Sequence, residues 1–474
     1  MSTLSPARSL SQTEEVAPVR SLYFDLFKGQ IDEQLRNEAA VFLTRQLEKA
    51  ASLPTDLPDD QNELVAWMHN GVEQVGRQYG EYLQARKEGG ARRYFRKKSH
   101  ALYFIRCVAP TKMVDGAWLY GLLPHWRDAR FLSLLQTYVE ELGEGLPSKN
   151  HVVLYQKLLA SQGCERWDDL SDEHYVQGAI QLALAYNADH FLPEVIGFNL
   201  GYEQLPLHLL ICAYELKELG IDPYYFTLHI TVDNADSGHA RKAVDAISST
   251  MPRAGDAAQW YRRVRQGYNL NSLGANTNSV IESFSLDRAM RAIFASKGVV
   301  GQYAHSNYRQ VAGRSVNDWL SQPHQTTDLI AAMEESGWFK RHQDPQNSRF
   351  WKLIQSENAK MFGVFSAYEQ QVIYDWIVGD ATGAESWKRA SDGSQRRHLS
   401  PEARRNLLHA QSVTEGVQDA NSDFDEEVRA LESRLALGAN VEETVCYLIE
   451  MMSPAQHHTP SGLGATRLFN ELLM

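Results

Sequence analysis

Apolar and polar residues alternate with helical spacing over most of the chain. Apolar residues recur every three or four positions in SLYFDLFKGQIDEQLRNEAAVFLTRQLEKA, in NELVAWMHNGVEQVGRQYGEYLQARK and in several segments after residue 285. Proline and aspartate in SLPTDLPDDQ, residues 52–61, predict a turn between the first two segments. Strand-like alternation is almost absent. The pattern therefore predicts an all-α fold.

The segment YYFTLHITVD is ambiguous, because its β-branched residues also suit a strand. Helical spacing places His229 and Asp233 on one face, four residues apart. A strand would also place them on one face, so periodicity alone does not separate the two structures. We predict a helix that continues past His239 to about Ile247.

The composition of the chain changes along its length and predicts its domains. Residues 1–18 form a loose tail, and residues 19–250 form a first helical domain. A boundary within residues 250–285 leads to a second helical domain, residues 285–474. Within that domain, about 380–425 is rich in Ser, Asp, Gly and Arg, which is typical of a flexible segment.

Length and charge narrow the class of protein. The 474 residues are 43% hydrophobic and 22% charged, values typical of a globular protein with a sizeable core. The net charge of −12 argues against binding of nucleic acid by general electrostatic attraction. The sequence has no apolar run of the roughly 20 residues that cross a bilayer, and its first 20 residues lack the apolar core expected of a signal peptide. We expect a soluble cytoplasmic protein whose partner is a small-molecule substrate, and a homodimer remains open.

Carboxylates and imidazoles are concentrated in an apolar stretch between residues 194 and 239. Charged side chains are costly to bury unless they are paired or bind a metal. The candidate metal ligands of this stretch, together with two residues upstream of it, are Glu141, His151, Glu194, Glu203, His229, Asp233, Asp236 and His239. For each of them a buried, hydrogen-bonded polar group is the alternative interpretation. The adjacent His457 and His458 are expected to be exposed to solvent.

Three sequence segments that carry these candidate ligands resemble, in their order along the chain, the heme-oxygenase-like diiron oxidases and oxygenases. VEELGEGLPSKNH contains Glu141 and His151, GYEQLP contains Glu203, and YYFTLHITVDNADSGHA contains His229 and Asp233. The resemblance covers roughly residues 90–250. It implies a heme-oxygenase-like helical bundle with an additional C-terminal helical domain. It also implies two non-heme Fe(II) ions, with Mn as an alternative metal, and O2 as co-substrate.

Two departures from the family pattern leave ligands undecided. The family's last element is His-x3-Asp-x2-His, but Asp236 stands where the final histidine is expected and a histidine follows only at His239. In a regular helix Asp236 lies about 20° from His229 around the axis and His239 about 80° away. We favour His239, because Gly238 can loosen the helix. Glu194 also competes with Glu203 as a carboxylate ligand.

The resemblance implies a reaction class but not a substrate. It points to oxidation of a small amine, an amino-acid-like or a fatty-acid-like metabolite, by N-oxygenation, oxidative C–C cleavage or desaturation in specialised metabolism. No catalytic residue beyond the metal ligands is predicted. One alternative is a metal-free helical binding or scaffold protein. Another is a heme-binding or heme-degrading protein, for which neither His69 nor His100 has a persuasive setting.

Overall fold

The computed structural model of the chain describes residues 18–232, 238–301, 308, 310–380, 429, 431, 433 and 440–473. Within these residues regular structure is almost entirely helical, which confirms the predicted all-α fold. The strands of the described part are β1 (Gln310–Val311) and β2 (Arg314–Ser315), which pair antiparallel with Gln310 opposite Ser315. The predicted flexible segment at about 380–425, apart from Asp380, and residues 1–17 of the predicted tail lie outside the described residues.

The α-helices of the described residues follow one another along the chain. They are α1 (Val19–Phe27), α2 (Glu33–Ala50), α3 (Leu64–Lys87), α4 (Lys98–Cys107), α5 (Ala109–Lys112), α6 (Leu132–Glu141), α7 (His151–Gln162), α8 (Val176–Tyr186), α9 (Leu192–Tyr202), α10 (Leu207–Glu218), α11 (Tyr224–Val232), α12 (His239–Thr250), α13 (Ala257–Asn269), α14 (Thr277–Glu282), α15 (Leu286–Gly301), α16 (Val316–Leu320), α17 (Thr326–Glu335), α18 (Arg349–Ile354), α19 (Ala367–Val378), α20 (Val441–Met451) and α21 (Pro460–Leu473).

Short 3-10 helices connect several of these elements. They span Gln61–Glu63, Ala117–His125, Ala129–Phe131, Gly143–Gly145, Asp172–His174, Leu270–Ser272, Pro323–Gln325 and Pro345–Asn347. Because 3-10 hydrogen bonds are tighter and less favourable than α-helical ones, such helices stay short and mark changes of chain direction. The segments around Ala117 and Gly143 are the ones that border the candidate site described below.

Helices α8 and α9 form the centre of the hydrophobic core, since their residues are buried on all sides. Helix α13 packs closely against α9. A Cβ added to Gly197 would lie 1.8 Å from the carbonyl oxygen of Val264, and one added to Gly267 would lie 2.2 Å from that of Glu194. The two glycines therefore allow the backbones of the two helices to touch. The ring of Trp118 is fully buried in this core.

The prediction of one continuous helix from His229 to Ile247 is wrong. Helix α11 ends at Val232, and α12 begins at His239 after Gly238, whose backbone is extended at φ −82° and ψ −166°. The angular positions computed for a regular helix therefore do not apply to His239. The segment Tyr224–Val232 is nevertheless helical rather than a strand, as predicted. Asp233 and Asp236 lie outside the described residues.

The C-terminal helices α20 and α21 pack on the first half of the chain. Helix α21 contacts α6 and the turn Gly143–Gly145, and the hydroxyl of Tyr138 donates to the carbonyl oxygen of Met452 at 2.6 Å. The expectation that His457 is exposed is wrong: its side chain is buried against this turn, while His458 is half-buried. None of the helices in the described part of the chain combines the length and apolarity needed to cross a bilayer.

Candidate metal centre

Two groups of buried side chains share one carboxylate. Among the described residues, the first group is Asp115, Glu141, His151 and His229, and the second is Glu141, Glu203 and His239. Within each group every residue offers a ligand atom that lies within 4.8 Å of those of the others. No member of either group is more than 5% exposed. Carboxylate and imidazole ligands without a cysteine suit iron or manganese.

The first group brings two buried polar atoms together with no hydrogen bond between them. Nδ1 of His151 lies 2.5 Å from Oε2 of Glu141 and 3.7 Å from Oδ2 of Asp115. Within the described structure, neither this Nδ1 nor this Oε2 makes a hydrogen bond. Buried polar atoms that approach each other without hydrogen-bond geometry are often the ligands of an ion.

The tautomer of His229 makes the same point independently. Its Nδ1 lies 2.9 Å from the backbone oxygen of Tyr225, and a carbonyl can only accept, so Nδ1 carries the proton. In a neutral ring Nε2 then presents a lone pair, and it points to Oδ2 of Asp115 at 3.0 Å. A lone pair and a carboxylate oxygen repel each other unless a second proton or a cation lies between them. Nε2 of His229 is thus oriented as a metal ligand.

His239 is oriented in the second group by a carboxylate outside it. Its Nδ1 lies 3.1 Å from Oε2 of Glu203 and 3.2 Å from Oε1 of Glu141. Its Nε2 lies 2.8 Å from Oε2 of Glu140, which Lys242 also contacts at 2.6 Å. If Nε2 donates its proton to Glu140, Nδ1 is left with its lone pair directed at the other two carboxylates. A histidine held by a carboxylate in this way is a common feature of metal sites.

Cationic neighbours compensate the two buried carboxylates of the first group. Burial opposes charge on Asp115, but Lys112, His151 and His229 outweigh it and hold the pKa of this carboxyl well below its usual value. Burial also opposes charge on Glu141, yet His151 and His239 lower its pKa. Burial favours a neutral His151, but Glu141 and Asp115 raise its pKa to about 10. A metal that binds here would replace the proton that His151 otherwise holds.

Two tyrosines and a lysine fix the orientation of Asp115. The hydroxyl of Tyr202 donates to Oδ1 at 2.6 Å and that of Tyr225 to Oδ2 at 2.5 Å. The ammonium of Lys112 donates to the hydroxyl of Tyr202 at 2.7 Å and lies 3.5 Å from Oδ1. Each carboxylate oxygen therefore has one hydroxyl donor. Lys112 also donates to Oδ1, whereas the remaining lone pair of Oδ2 is available to a further partner.

Most residues of the two groups lie at the ends of helices rather than in their interiors. Glu141 is the last residue of α6, and His151 is the first residue of α7, whose N-terminus is capped by Asn150. Glu203 follows the last residue of α9, and His239 is the first residue of α12. Since backbone direction changes at such ends, side chains from four helices can converge on a small volume.

A glycine permits the approach of the Asp115 segment to Glu141. Gly116 has a φ of +80°, in the left-handed region that side chains rarely adopt. A Cβ at this position would lie 2.8 Å from Cβ of Glu141. Any other residue would therefore both strain the backbone and push Glu141 away from the group.

Part of the chain matches a known family over the residues that hold this centre. Residues 102–272 match the model of a family described as an iron-containing redox enzyme. The matched segment includes all six members of the two groups. No curated protein and no solved structure matches the chain.

The match to the iron-containing redox enzyme family confirms, for residues 102–272, the resemblance noted in the sequence. It also extends past residue 250, the predicted end of the first domain, to include α13. The matched segment together with the buried carboxylate and histidine groups indicates an oxidoreductase with a site able to hold metal.

The structure brings most of the predicted ligands together. Glu141, His151, Glu203, His229 and His239 lie in the two groups. Glu194 lies outside both groups. Its carboxylate accepts from Nε of Arg263 at 2.6 Å and from Nη2 at 2.7 Å, in the interface between α9 and α13. Glu194 and Glu203 are nine residues apart, a rise of about 13 Å along a helix, so the two cannot share one cation.

Sequence reasoning missed Asp115 and Glu140. Asp115 is a single carboxylate in the apolar run KMVDGAWLYGLL, and the cost of burying an unpartnered charge was the signal that could have identified it. Glu140 is next to Glu141 in the sequence, but only the contact with His239 shows its role. Nothing in the sequence pairs either residue with its distant partner.

Proposed function

We propose that the chain is a non-heme diiron oxidoreductase that uses O2. The observation that carries this proposal is that two groups of buried side chains share Glu141, because a carboxylate with one oxygen toward each of two groups can bridge two cations. The first position would use Asp115, Glu141, His151 and His229, and the second Glu141, Glu203 and His239. Two Fe(II) ions would supply the electrons that reduce O2.

The protein's own residues would hold the ligands in the required charge state. The backbone oxygen of Tyr225 keeps the proton of His229 on Nδ1, and Glu140 can do the same at Nε2 of His239. The hydroxyls of Tyr202 and Tyr225 compensate part of the charge on Asp115. Burial excludes water from these groups, which strengthens every electrostatic contact among them.

A small amine, an amino-acid-like or a fatty-acid-like metabolite is the proposed substrate class, on the strength of the family resemblance. N-oxygenation, oxidative C–C cleavage and desaturation are the corresponding reactions. Lys112 would meet a carboxylate of such a substrate, because its side chain is 18% exposed and its ammonium lies 3.5 Å from Oδ1 of Asp115. The heme alternative has less support, since Nε2 of His100 binds the backbone oxygen of Ile281 at 2.8 Å and His69 is exposed on α3.

Anaerobic titration with Fe(II) tests the diiron proposal. We expect the wild-type protein to bind close to two equivalents. His229→Ala should lose the first position and His239→Ala the second, so each should retain about one equivalent. Glu141→Ala should weaken both, because it is the shared ligand.

Glu194→Gln is the matched control for this titration. It removes a buried carboxylate from the same segment, but one bound to Arg263 outside both groups, so it should retain two equivalents. Circular dichroism of each variant shows whether the helices persist. Full iron uptake by His229→Ala and His239→Ala, with helices intact, would reject the assignment.

A further inference from the structure

The turn that separates Glu141 from His151 is fixed from outside the segment that matches the family. Residues 142–150 connect α6 to α7, and Asn150, fully buried, lies at its end. Nδ1 of His151 lies 2.5 Å from Oε2 of Glu141. Both atoms can bind the same cation only if the turn between the two residues keeps them close. Whatever holds this turn therefore holds two of the proposed ligands.

Asn150 uses every hydrogen-bonding proton of its side-chain amide. Its Oδ1 accepts from the backbone N–H of Val153 at 3.0 Å, which identifies the other amide atom as the nitrogen. This Nδ2 donates to the backbone oxygen of Leu142 at 3.1 Å and lies 3.2 Å from Nδ1 of His457. Both amide protons are then committed, one within the turn and one to the C-terminal segment.

His457 must act as an acceptor in this contact. Since Nδ2 of Asn150 can only donate, Nδ1 of His457 carries a lone pair, and its neutral ring has its proton on Nε2. His457 is itself 2% exposed and is held by a backbone hydrogen bond from its N–H to the oxygen of Ser453 at 3.0 Å. The position of the acceptor atom, Nδ1 of His457, is therefore set by contacts that do not involve Asn150.

The C-terminal segment, residues 452–463, makes two further contacts, one with the turn and one with helix α6. A Cβ added to Gly145 would lie 2.4 Å from the backbone oxygen of Leu463, so the turn and α21 are in direct backbone contact. The hydroxyl of Tyr138, on the helix that carries Glu141, donates to the oxygen of Met452. These contacts place residues 452–463 against both ends of the turn.

We propose that His457 is a positioning residue for the metal centre: through Asn150 it fixes His151 against Glu141, so that the C-terminal segment completes a site whose ligands all lie within residues 102–272. This inference rests on the proposed function for its consequence, which is metal affinity. The contact itself does not depend on metal.

Full-length variants titrated with Co(II), followed through its d–d absorption bands, test the proposal. His457→Asn retains an acceptor near the position of Nδ1, whereas His457→Gln places its amide nearer the position of Nε2. We expect His457→Gln to bind Co(II) roughly 10- to 100-fold more weakly with altered bands, the range seen for groups that orient ligands. His457→Asn should restore affinity and bands toward wild type. His458→Gln, a change of the adjacent half-buried histidine, should alter neither.

Equal affinities and identical bands for the Asn and Gln variants would overturn the proposal. Both variants carry the same amide group and differ by one methylene, so a loss of folding common to both cannot imitate the expected difference. If the wild-type protein bound no Co(II), the diiron function would fail. Hydrogen exchange of residues 142–153 in metal-free protein would then test the contact between Asn150 and His457. Faster exchange in His457→Gln than in His457→Asn would support the contact, and equal exchange would overturn it.

Discussion

Asp115 shows how much of the site depends on single side chains. It is buried, and its carboxylate is bound by the hydroxyls of Tyr202 and Tyr225 and lies close to Lys112 and His229. Asn at this position would keep the size and one acceptor oxygen but remove the charge. The tyrosines and the lysine would then lose the anion they are arranged around.

Asp115→Asn is predicted to weaken the first metal position. We expect one of two Fe(II) equivalents to lose more affinity than the roughly 10- to 100-fold typical of groups that only orient a ligand, with the second unaffected. Anaerobic Fe(II) titration with circular dichroism measures this. Asp25→Asn, at an exposed carboxylate on α1, serves as the control and should bind like wild type. Unchanged affinity of both equivalents in Asp115→Asn would remove Asp115 from the ligand set.

His208 is predicted to make stability depend on pH. Burial, and then the nearby Lys112, lower the pKa of His208 from 6.5 to about 4. Between these values the unfolded chain binds more protons than the folded one, so the free energy of unfolding should fall as pH decreases from about 6.5 to about 4. The contribution is at most about 3 kcal/mol. His208→Gln in metal-free protein should remove it, which urea unfolding of both proteins across this range would show. Parallel pH profiles would contradict the prediction.

Residue types could be predicted from the sequence more readily than their partners. Carboxylates and histidines in an apolar stretch identified Glu203, His229 and His239, because burial of such groups requires compensation. Asp115 and His229 are 114 positions apart, and no local pattern records that contact. Glu194 satisfied the same criterion as Glu203, but Arg263 compensates it instead. Whether a buried carboxylate is compensated by an arginine or by a group of histidines and other carboxylates depends on which distant residues the fold brings to it.

At the level of elements, the close contact between α9 and α13 determines where Glu203 lies. Gly197 and Gly267 bring the backbones together, and Glu194 pairs with Arg263 along the same interface. Helical periodicity predicted that these segments are helices. It did not predict the interruption before His239, because the sequence pattern on either side remains compatible with one helix.

Gly197→Ala is predicted to destabilise the fold. The added Cβ would lie 1.8 Å from the backbone oxygen of Val264, so the two helices must separate. Overpacking of this kind costs about 1–3 kcal/mol. Gly76→Ala is the matched change on the exposed face of α3, where a Cβ meets nothing within 4 Å. It should stabilise by about 0.5–1 kcal/mol. Urea unfolding of both variants measures the difference, and equal effects would show that α9 and α13 do not need this contact.

At the level of the whole molecule, elements outside residues 102–272 contact those within them. Helix α21 packs on α6, α20 packs on the 3-10 helix Ala117–His125, and α19 packs on α4. The division into domains at 19–250 and 285–474 remains a prediction from composition. These contacts nevertheless suggest a test of whether the two parts unfold together.

Asp375 is predicted to couple the two parts. Its buried carboxylate, on α19, accepts from the backbone N–H of Ser99 at the start of α4 at 2.8 Å. Asp375→Ala would leave that N–H buried without this acceptor, at a cost of about 1–3 kcal/mol. Asp375→Asn, which keeps an acceptor, should lose less, and Glu357→Gln, at an exposed position, should stay within about 0.5 kcal/mol of wild type.

Calorimetry of metal-free and iron-loaded protein would show which part responds to Asp375. Iron bound at the proposed site stabilises the part that holds the ligands, because it binds only the folded state. If α4 and α19 unfold as one unit, Asp375→Ala should lower the midpoint of the same transition that iron raises. A second transition that shifts with Asp375→Ala while the iron-dependent one stays fixed would show instead that residues 285–474 unfold separately from the metal centre.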